Sequence, residues 1–220
     1  TGRLARSLAA SFGGAALGEP DGVTRHQLFE GPGVPKTSHN SAAALALDVA
    51  DPGRVTEHGA RFLLDHHAAG SDPGIAVLVG SPPADVLAFA RRTQEELVTR
   101  QEAEDLAAEH GIPLTGLAGT RDGVIGALAA AALRADGGDG RFVGLPGIRE
   151  LNGRMLVGDI LRGSGIALVV AEESGTPLGE EHVVETGGWV RPRLIGHQPV
   201  MVVRRERGEW VHADARPLPG

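Results

Sequence analysis

The only lysine of this 220-residue chain, Lys36, stands in the polar segment GVPKTSHNSAA. Thr37 and Ser38 add two hydroxyl groups beside it, and His39 and Asn40 add an imidazole and an amide. An ammonium group supplies a point charge while hydroxyl and amide groups supply directed hydrogen bonds, so this set of side chains suits an anion such as a phosphate. The alternative is a polar turn that its own Thr, Ser and Asn side chains cap.

A glycine-rich segment, GLAGTRDGVIGALAAA at 116–131, runs from a predicted strand into a predicted helix. The backbone N–H groups at the start of a helix lack partners within the helix, so they bind phosphate readily. The spacing matches neither the Walker loop nor the dinucleotide-binding fingerprint, and tight packing of the strand on the helix is the alternative. The candidate phosphate-binding residues here are Gly119, Asp122, Gly123, Val124 and Gly126.

Two shorter segments also carry side chains suited to a ligand. In VTRHQLF, Arg25 and Gln27 share one face of a predicted strand and His26 takes the other face. A guanidinium beside an amide suits a carboxylate or a phosphate, although an edge strand that faces water gives the same pattern. In GSDPG, Ser71 and Asp72 belong to a turn and could also face a ligand.

Two further groups favour simpler interpretations. His66 and His67 point about 100° apart if they lie on a helix, so we expect no zinc ion there and predict no metal site. Basic and aromatic residues near the end of the chain are compatible with a nucleic-acid surface, but we favour a hairpin with a solvated basic face. These residues are Arg191, Arg193, Arg204, Arg205 and Arg207, with Trp189 and Trp210.

The composition excludes several classes of protein. The formal net charge is −7, which gives no sign of a general nucleic-acid binder. The chain has no cysteine, which excludes disulfides, thiol nucleophiles and cysteine zinc sites. No apolar run reaches the ~18 residues that a membrane span needs, and no signal peptide is visible, so we expect a cytoplasmic protein.

The candidate segments are positioned by an alternating α/β pattern that extends to about residue 147. Periodicity predicts helices at 3–13, 54–69, 83–92, 101–111 and 122–138, and strands at 22–29, 41–49, 74–80 and 112–119, with 95–99 as a weaker strand candidate. The first helix should pack through Leu4, Leu8 and Phe12.

From residue 148 onward the pattern changes to short strands separated by Gly and Pro turns. We therefore predict a mixed-sheet α/β (α+β) fold with two parts. Residues 1–147 form an α/β nucleotide-binding catalytic region, and residues 148–220 form a smaller β-rich C-terminal subdomain.

Six segments, taken in order, resemble the tRNA 2-agmatinylcytidine synthetase family: TGRLARSLA, VTRHQLF, VPKTSHNSAA, GSDPG, GVIGALAA and WVRP. The resemblance implies a catalytic part that combines a kinase-like domain with a ferredoxin-like domain. It also implies a chemistry, because the family enzyme uses ATP to activate a cytidine of a tRNA anticodon and attaches agmatine to it.

The resemblance assigns roles to particular residues. Thr1 stands where the family has a phospho-acceptor threonine, after an acidic Asp-Asp-Thr-Asp motif that would hold Mg²⁺ and is expected upstream of Thr1. The family segment Pro-aromatic-Lys-Thr-x-x-Asn is matched by Pro35, Lys36, Thr37 and Asn40, in a version one residue shorter. The OB domain and the cysteine zinc ribbon of the synthetase are not expected, because cysteine is absent and 148–220 is too short for both. Without these domains tRNA binding is not predicted.

These features predict an ATP-dependent phosphotransferase or ligase-like enzyme with ATP and Mg²⁺ as cofactors. Its catalytic residues would be Thr1, Lys36 and His39. The loops 33–40 and 119–126 should then lie close together, with the Lys36 ammonium and the amides of Gly123 and Val124 facing one cleft. The expected nucleotide-binding residues are Arg25, Gln27, Thr37, Ser38, Asn40, Ser71, Asp72, Gly119, Asp122, Gly123, Val124 and Gly126.

Other functions stay open at this point. The acceptor is a small molecule or an RNA, and the residues do not choose between them. One alternative is an amide hydrolase that uses Thr1 as an N-terminal nucleophile, with its own amine as the base. Another is a non-catalytic protein that binds a small molecule. The oligomeric state is not predicted.

Overall fold

The structure of the protein is a computed structural model, and it describes residues 1–34 and 40–214. The chain divides into two compact units, Thr1–Gly140 and Arg141–Gly220. The β-rich pattern predicted from residue 148 falls within the second unit. Among the described residues, none of the helices is long and apolar enough to cross a membrane.

The first unit contains helices α1 to α5 and strands β1 to β4. In chain order they are α1 (Gly2–Gly14), β1 (Val23–Gln27), β2 (Ser41–Leu45), α2 (Pro52–His66), β3 (Gly74–Ala76), α3 (Ala84–Glu95), α4 (Arg100–Glu109), β4 (Leu114–Gly116) and α5 (Gly123–Asp136). Strands β1 and β2 pair antiparallel, from Val23 opposite Leu45 to Gln27 opposite Ser41. Strands β3 and β4 form a second antiparallel pair.

Local signals set the helix boundaries. Helix α2 begins after Asp51, whose carboxylate accepts hydrogen bonds from the N–H groups of Gly53 and Arg54. Helix α4 begins after Thr99, whose hydroxyl accepts from the N–H of Glu102. The strand proposed at 95–99 is therefore wrong, because α3 continues to Glu95 and the following residues lead into the Thr99 cap.

The β1–β2 hairpin lies between two helical layers. Leu28 and Ala42, on one face, belong to a core with Val86 of α3 and Leu128 of α5. Leu45, on the opposite face, packs in a cluster formed mainly by α1 and α2. The hairpin is thus covered on both faces, and its alternating residues contribute to both cores.

Helix α1 packs on the unit through a face centred on Ala5, Leu8 and Phe12. Leu8 and Phe12 are buried as the sequence predicts, but Leu4 is only partly buried. The spacing explains the difference: positions 5, 8 and 12 lie on one line along the helix, and position 4 lies at its margin.

The second unit is built around a mixed sheet. Its elements are β5 (Arg141–Gly144), β6 (Arg154–Leu156), α6 (Val157–Gly163), β7 (Leu168–Ala171), β8 (Val183–Glu185), β9 (Arg193–Ile195), β10 (Gln198–Glu206) and β11 (Glu209–His212). The strand order is β5-β9-β10-β11-β8-β6, and β7 pairs with β10 in parallel. Ile160 of α6 and Met201 of β10 lie in its buried core. The predicted mixed α/β (α+β) fold with a β-rich C-terminal part is confirmed.

Candidate functional site

The ends of the 30–40 segment are held together by Gln27, the last residue of β1. Its side-chain NH₂ donates to the carbonyl oxygens of Leu28 and Asn40, at 3.1 and 2.8 Å, and to the Glu30 carboxylate at 2.9 Å. The Asn40 N–H donates to the same carboxylate at 3.0 Å, and the Asn40 amide donates to the Phe29 carbonyl at 2.9 Å. We call Gln27, Glu30 and Asn40 the loop clamp.

The centre of this segment, residues 35–39, lies outside the described residues. The predicted site residues Lys36, Thr37, Ser38 and His39 belong to it, so their roles stay predictions. The structure instead shows the residues on both sides of this centre. The Leu28 N–H donates to the Asn40 carbonyl at 2.9 Å, which brings the two flanks into register.

Arg25 and Gln27 lie on the hairpin face opposite to α5, in the register of Ala43 and Ser41. The Arg25 Nε–H donates to the Ser41 hydroxyl at 2.8 Å. The predicted sharing of one strand face by Arg25 and Gln27 is confirmed. Each side chain is engaged with the hairpin, Arg25 beside its strands and Gln27 at its open end.

The start of α5 is capped by a carboxylate from a distant part of the chain. Asp72 accepts hydrogen bonds from the N–H groups of Arg121 and Asp122, at 2.9 and 3.0 Å, and from the Thr120 hydroxyl. Arg100 of α4 adds a hydrogen bond to the Thr120 carbonyl at 2.5 Å. Asp72 is an anion and takes the place that a phosphate could take at these two amides, which directly precede Gly123, the first residue of α5. The donors to the Asp72 carboxylate thus differ from the amides predicted to face the nucleotide, those of Gly123 and Val124.

Glycines in this loop allow its backbone to lie close to Asp72. A Cβ on Gly123 would lie 2.0 Å from the Asp72 carbonyl oxygen, so no larger residue fits. Gly119 has a φ of +66° and lies against the Asp72 side chain. The Val124 N–H is 3.4 Å from the Arg121 carbonyl, which is a weak turn contact. Ser71 belongs to the adjoining turn, and its hydroxyl donates to the Ala68 carbonyl at 2.7 Å.

Gly126 brings the first turns of α5 against the hairpin. A Cβ at this position would lie 3.2 Å from the Ala42 Cβ and 3.5 Å from the Leu28 Cδ1. Leu28 and Ala42 flank the 30–40 segment on either side. The start of α5 therefore packs beside the roots of that segment, and Gly126 serves the helix–strand packing that was the alternative interpretation.

Thr1 precedes α1 and is exposed. Its carbonyl accepts the Ala5 N–H at 3.0 Å, and its side chain makes no capping hydrogen bond. The structure thus uses Thr1 as the start of a helix, and the catalytic role implied by the resemblance stays a prediction.

A hydrogen-bond network that the sequence did not indicate connects β1 with α3 and with Asp139, which follows α5. His26 is fully buried; its Nδ1–H donates to Asp139 at 2.7 Å, and its Nε2 shares a hydrogen bond with the Thr24 hydroxyl at 2.9 Å. The Gln94 NH₂ of α3 donates to Asp139 and to the Gln27 carbonyl, both at 3.2 Å. Burial raises the pKa of the Asp139 carboxyl, but the hydrogen bonds from His26 and Gln94 outweigh this and hold it below its usual range.

Histidines occur at two exposed places in the first unit. The rings of His66 and His67 are hydrogen-bonded to carbonyls of their own helix, at 2.8 Å to Phe62 and 3.1 Å to Leu63. Across the described residues, the one group of at least three ligand-type side chains close enough to share an ion is the exposed set Asp85, Glu109 and His110. The His110 Nε2 hydrogen bonds to Asp85 at 2.8 Å and lowers the pKa of that carboxyl.

The basic residues of the second unit are largely paired within it. Arg193 contacts Asp214 at 3.0 Å and Glu172 at 3.1 Å, and Arg204 contacts Glu206 at 2.6 Å. Arg205 lies over the Trp210 ring at 4.1 Å. This pattern is compatible with the hairpin with a solvated basic face that we favoured, and it adds that several of these arginines are paired with carboxylates of the same unit.

Solved structures share the fold of part of this chain, whereas no protein-family model and no curated protein matches it. A crystal structure of a tRNA fluorescent labeling enzyme is 23% identical to this chain with a TM-score of 0.52. The matched region covers 60% of this chain and 32% of the chain of that enzyme. The complex of TiaS with an isoleucine tRNA and ATP is 24% identical, with the same TM-score and coverage. Apo TiaS, the agmatidine synthetase for that tRNA, is 21% identical with a TM-score of 0.50 over 59% of this chain.

The chain spans about a third of the length of the solved structures that it matches. At these identities the likeness shows a common fold. That fold is found in the kind of protein that the six sequence segments resemble.

Proposed function

We propose that the chain is an ATP-utilising enzyme of the phosphotransferase or ligase type, related to the tRNA agmatidine synthetase TiaS, and that the nucleotide phosphates bind at the 30–40 segment. The observation that carries the proposal is the loop clamp. Gln27, Glu30 and Asn40 hold together the two ends of the segment that contains the only lysine of the chain. The fold shared with a TiaS complex that contains ATP supports the nature of the ligand.

Within this proposal Lys36 supplies the main attraction for the phosphates. A charge-assisted hydrogen bond from an ammonium contributes ~1.5–3 kcal/mol, whereas a helix start contributes only ~0.3–1 kcal/mol toward an exposed anion. Asp72 already accepts from the Arg121 and Asp122 amides, so the 119–126 loop contributes still less to the binding free energy of the phosphates. The neighbouring Thr37, Ser38 and His39 would orient the nucleotide.

Mg²⁺ is part of the proposal, because it neutralises the charge that moves during phosphoryl transfer. The family resemblance assigns its ligands to a segment that precedes the position of Thr1, so the proposal gives no metal ligand to the described residues. Thr1 would be the phospho-acceptor. The acceptor substrate is left open between a small molecule and an RNA. No observation favours the amide hydrolase.

The single lysine gives a direct test. An acyl-phosphate derivative of ATP transfers its acyl group to an amine that lies beside the bound phosphates. We expect one adduct on Lys36, located by peptide mass mapping, and we expect excess ATP with Mg²⁺ to prevent it. Labelling of Lys36 that ATP does not reduce would contradict the proposal.

The substitution Lys36→Ala should weaken ATP binding by about tenfold to a hundredfold, the loss expected for one charge-assisted contact. The melting temperature should hardly change. Arg54→Ala, which removes one exposed positive charge from α2, is the matched control and should leave affinity unchanged. Calorimetric titration with ATP and Mg²⁺ measures both. Equal affinity in the Lys36→Ala variant and the parent would return the segment to the polar-turn interpretation. Turnover of ATP separates an enzyme from a protein that only binds it.

A further inference from the structure

Asp139 lies outside every motif that the sequence singles out, yet it joins three segments of the first unit. It follows the glycine end of α5, accepts from His26 of β1 at 2.7 Å and accepts from Gln94 of α3 at 3.2 Å. About a third of its side chain is exposed, while His26 is fully buried. Both carboxylate oxygens are occupied by protein donors, so this carboxylate acts as a fixed anchor.

The anchor connects directly to the loop clamp. The NH₂ group of Gln94 that contacts Asp139 also donates to the backbone carbonyl of Gln27, at 3.2 Å. The next two residues are also fixed: the Leu28 N–H donates to the Asn40 carbonyl oxygen, and the Phe29 N–H donates to the Thr93 carbonyl oxygen of α3 at 2.8 Å. The end of β1 is thus held through Gln94, whose side chain contacts both Asp139 and the Gln27 carbonyl.

We propose that Asp139 is a positioning residue for the nucleotide site, because it fixes the end of β1 from which Gln27 closes the loop clamp. The inference rests on the proposed function, since it concerns the same 30–40 segment. It adds a residue more than a hundred positions from His26 in the chain, and it predicts that loss of Asp139 loosens the described ends of the segment, at Leu28, Phe29 and Asn40, without removing a contact to the ligand.

The geometry also predicts which replacement is tolerated. An ionised carboxylate only accepts hydrogen bonds, and here it meets two donors. An asparagine has the same shape. Its oxygen can accept from Gln94, and its NH₂ can donate to Nδ1 of His26 in the tautomer that carries the proton on Nε2, which then donates to the Thr24 hydroxyl. Asp139→Asn should therefore preserve the position of β1, and Asp139→Ala should not.

The experiment compares Asp139→Ala and Asp139→Asn with the control Asp136→Ala. Asp136 ends α5 and is exposed to a similar degree, but its carboxylate contacts only the exposed Arg91 among the pairs described, at 3.3 Å. Two quantities are measured below the lowest melting temperature: hydrogen exchange at Leu28, Phe29 and Asn40 without ligand, and the dissociation constant for ATP with Mg²⁺. The asparagine variant separates positioning from a general loss of stability.

We expect Asp139→Ala to speed exchange at these amides and to raise the dissociation constant about tenfold. The asparagine variant and the Asp136→Ala control should both stay within about threefold of the parent. Unchanged exchange, or faster exchange with parental affinity, overturns the proposal. If the parent itself does not bind ATP, the proposed function fails, and the exchange rates then decide whether Asp139 fixes the loop ends.

Discussion

Among the described residues, each of the two units buries one histidine completely, and the two rings have opposite hydrogen-bonding environments. His26 in β1 has partners for both ring nitrogens, Asp139 at 2.7 Å and Thr24 at 2.9 Å. Neither ring nitrogen of His212 in β11 makes a hydrogen bond of regular geometry among the described residues, and the Arg191 backbone supplies only a weak polar contact. Burial alone therefore does not determine the role of a histidine; the partner does.

The electrostatics follow the same division. Burial lowers the pKa of His212 to about 4; the charge of Asp214 opposes the shift, and the charges of Arg141 and Arg193 add to it. His212 is consequently neutral at pH 7 and behaves as a core residue with a poorly satisfied polar edge. His26 instead ties a carboxylate to the strand that carries the candidate site. The burial of His212 therefore costs stability, whereas the hydrogen bonds of His26 connect separate segments of the first unit.

The largest expected effect is a loss of stability of the second unit at acidic pH. The unfolded chain takes up a proton on His212 near pH 6.5, while the folded second unit does so only near pH 4. Stability should therefore fall as pH decreases from 6.5 to 4, by a total on the order of 3 kcal/mol. Both tryptophans, Trp189 and Trp210, lie in the second unit, so tryptophan fluorescence in urea follows that unit alone. The variant His212→Leu should show a shallower slope over this range, and an unchanged slope would remove His212 as the cause.

A somewhat smaller loss is expected for His26→Leu. Leucine fills most of the volume of the imidazole but removes its hydrogen bonds to Asp139 and Thr24. This loss should destabilise the first unit by about 2 kcal/mol, and the exposure of Asp139 and its remaining contact with Gln94 limit the cost. Hydrogen exchange at the α5 amides follows this unit. Stability equal to the parent would show that the network around His26 contributes nothing to the fold.

Gly140 sharpens the comparison because it touches the His26 ring. A Cβ would lie 2.6 Å from Cε1 of the ring, and φ at this position is +104°. Gly140→Ala should cost about 1–2 kcal/mol through backbone strain and displacement of the ring. Gly138→Ala is the control, because its Cβ would meet only the Asp136 carboxylate, at 3.6 Å. Equal melting curves for the two variants would contradict the close packing.

The smallest effect is expected for His212→Leu at pH 7. Replacing an imidazole that lacks a regular hydrogen bond by an apolar side chain removes a desolvation cost and gives up only a weak contact. The free energy of unfolding should change by less than about 1 kcal/mol, and in the stabilising direction if it changes. A loss of several kcal/mol would mean that His212 has a substantial hydrogen-bond role after all.

Local patterns predicted the elements well, since caps and periodicity act within a few residues. The inward positions Leu8 and Phe12 of α1 are of this kind. The start of α2 was predicted two residues late, at 54, because Asp51 was not recognised as its cap. The strand proposed at 95–99 failed because the Thr99 cap outweighs a short apolar run. Sequence order also placed Arg25 and Gln27 on one face.

The contacts that shape the candidate site could not be predicted, because they join distant positions. Asp72 reaches the amides of residues about fifty positions later, and His26 meets a carboxylate more than a hundred positions away. A glycine-rich loop before a helix looks the same in sequence whether its amides are open or already occupied. Only the folded chain shows that Asp72 fills the anion-binding position at the Arg121 and Asp122 amides.

That filling has a consequence for selectivity. Asp72 is a tethered ligand of α5, and a tethered group is present at an effective concentration on the order of millimolar or higher. An inorganic phosphate or a free carboxylate at lower concentration cannot compete with it for the Arg121 and Asp122 amides. These two amides are therefore held by Asp72 against more dilute anions, and a ligand that binds near the start of α5 must obtain its affinity from other contacts, such as the Gly123 and Val124 amides that follow in the chain.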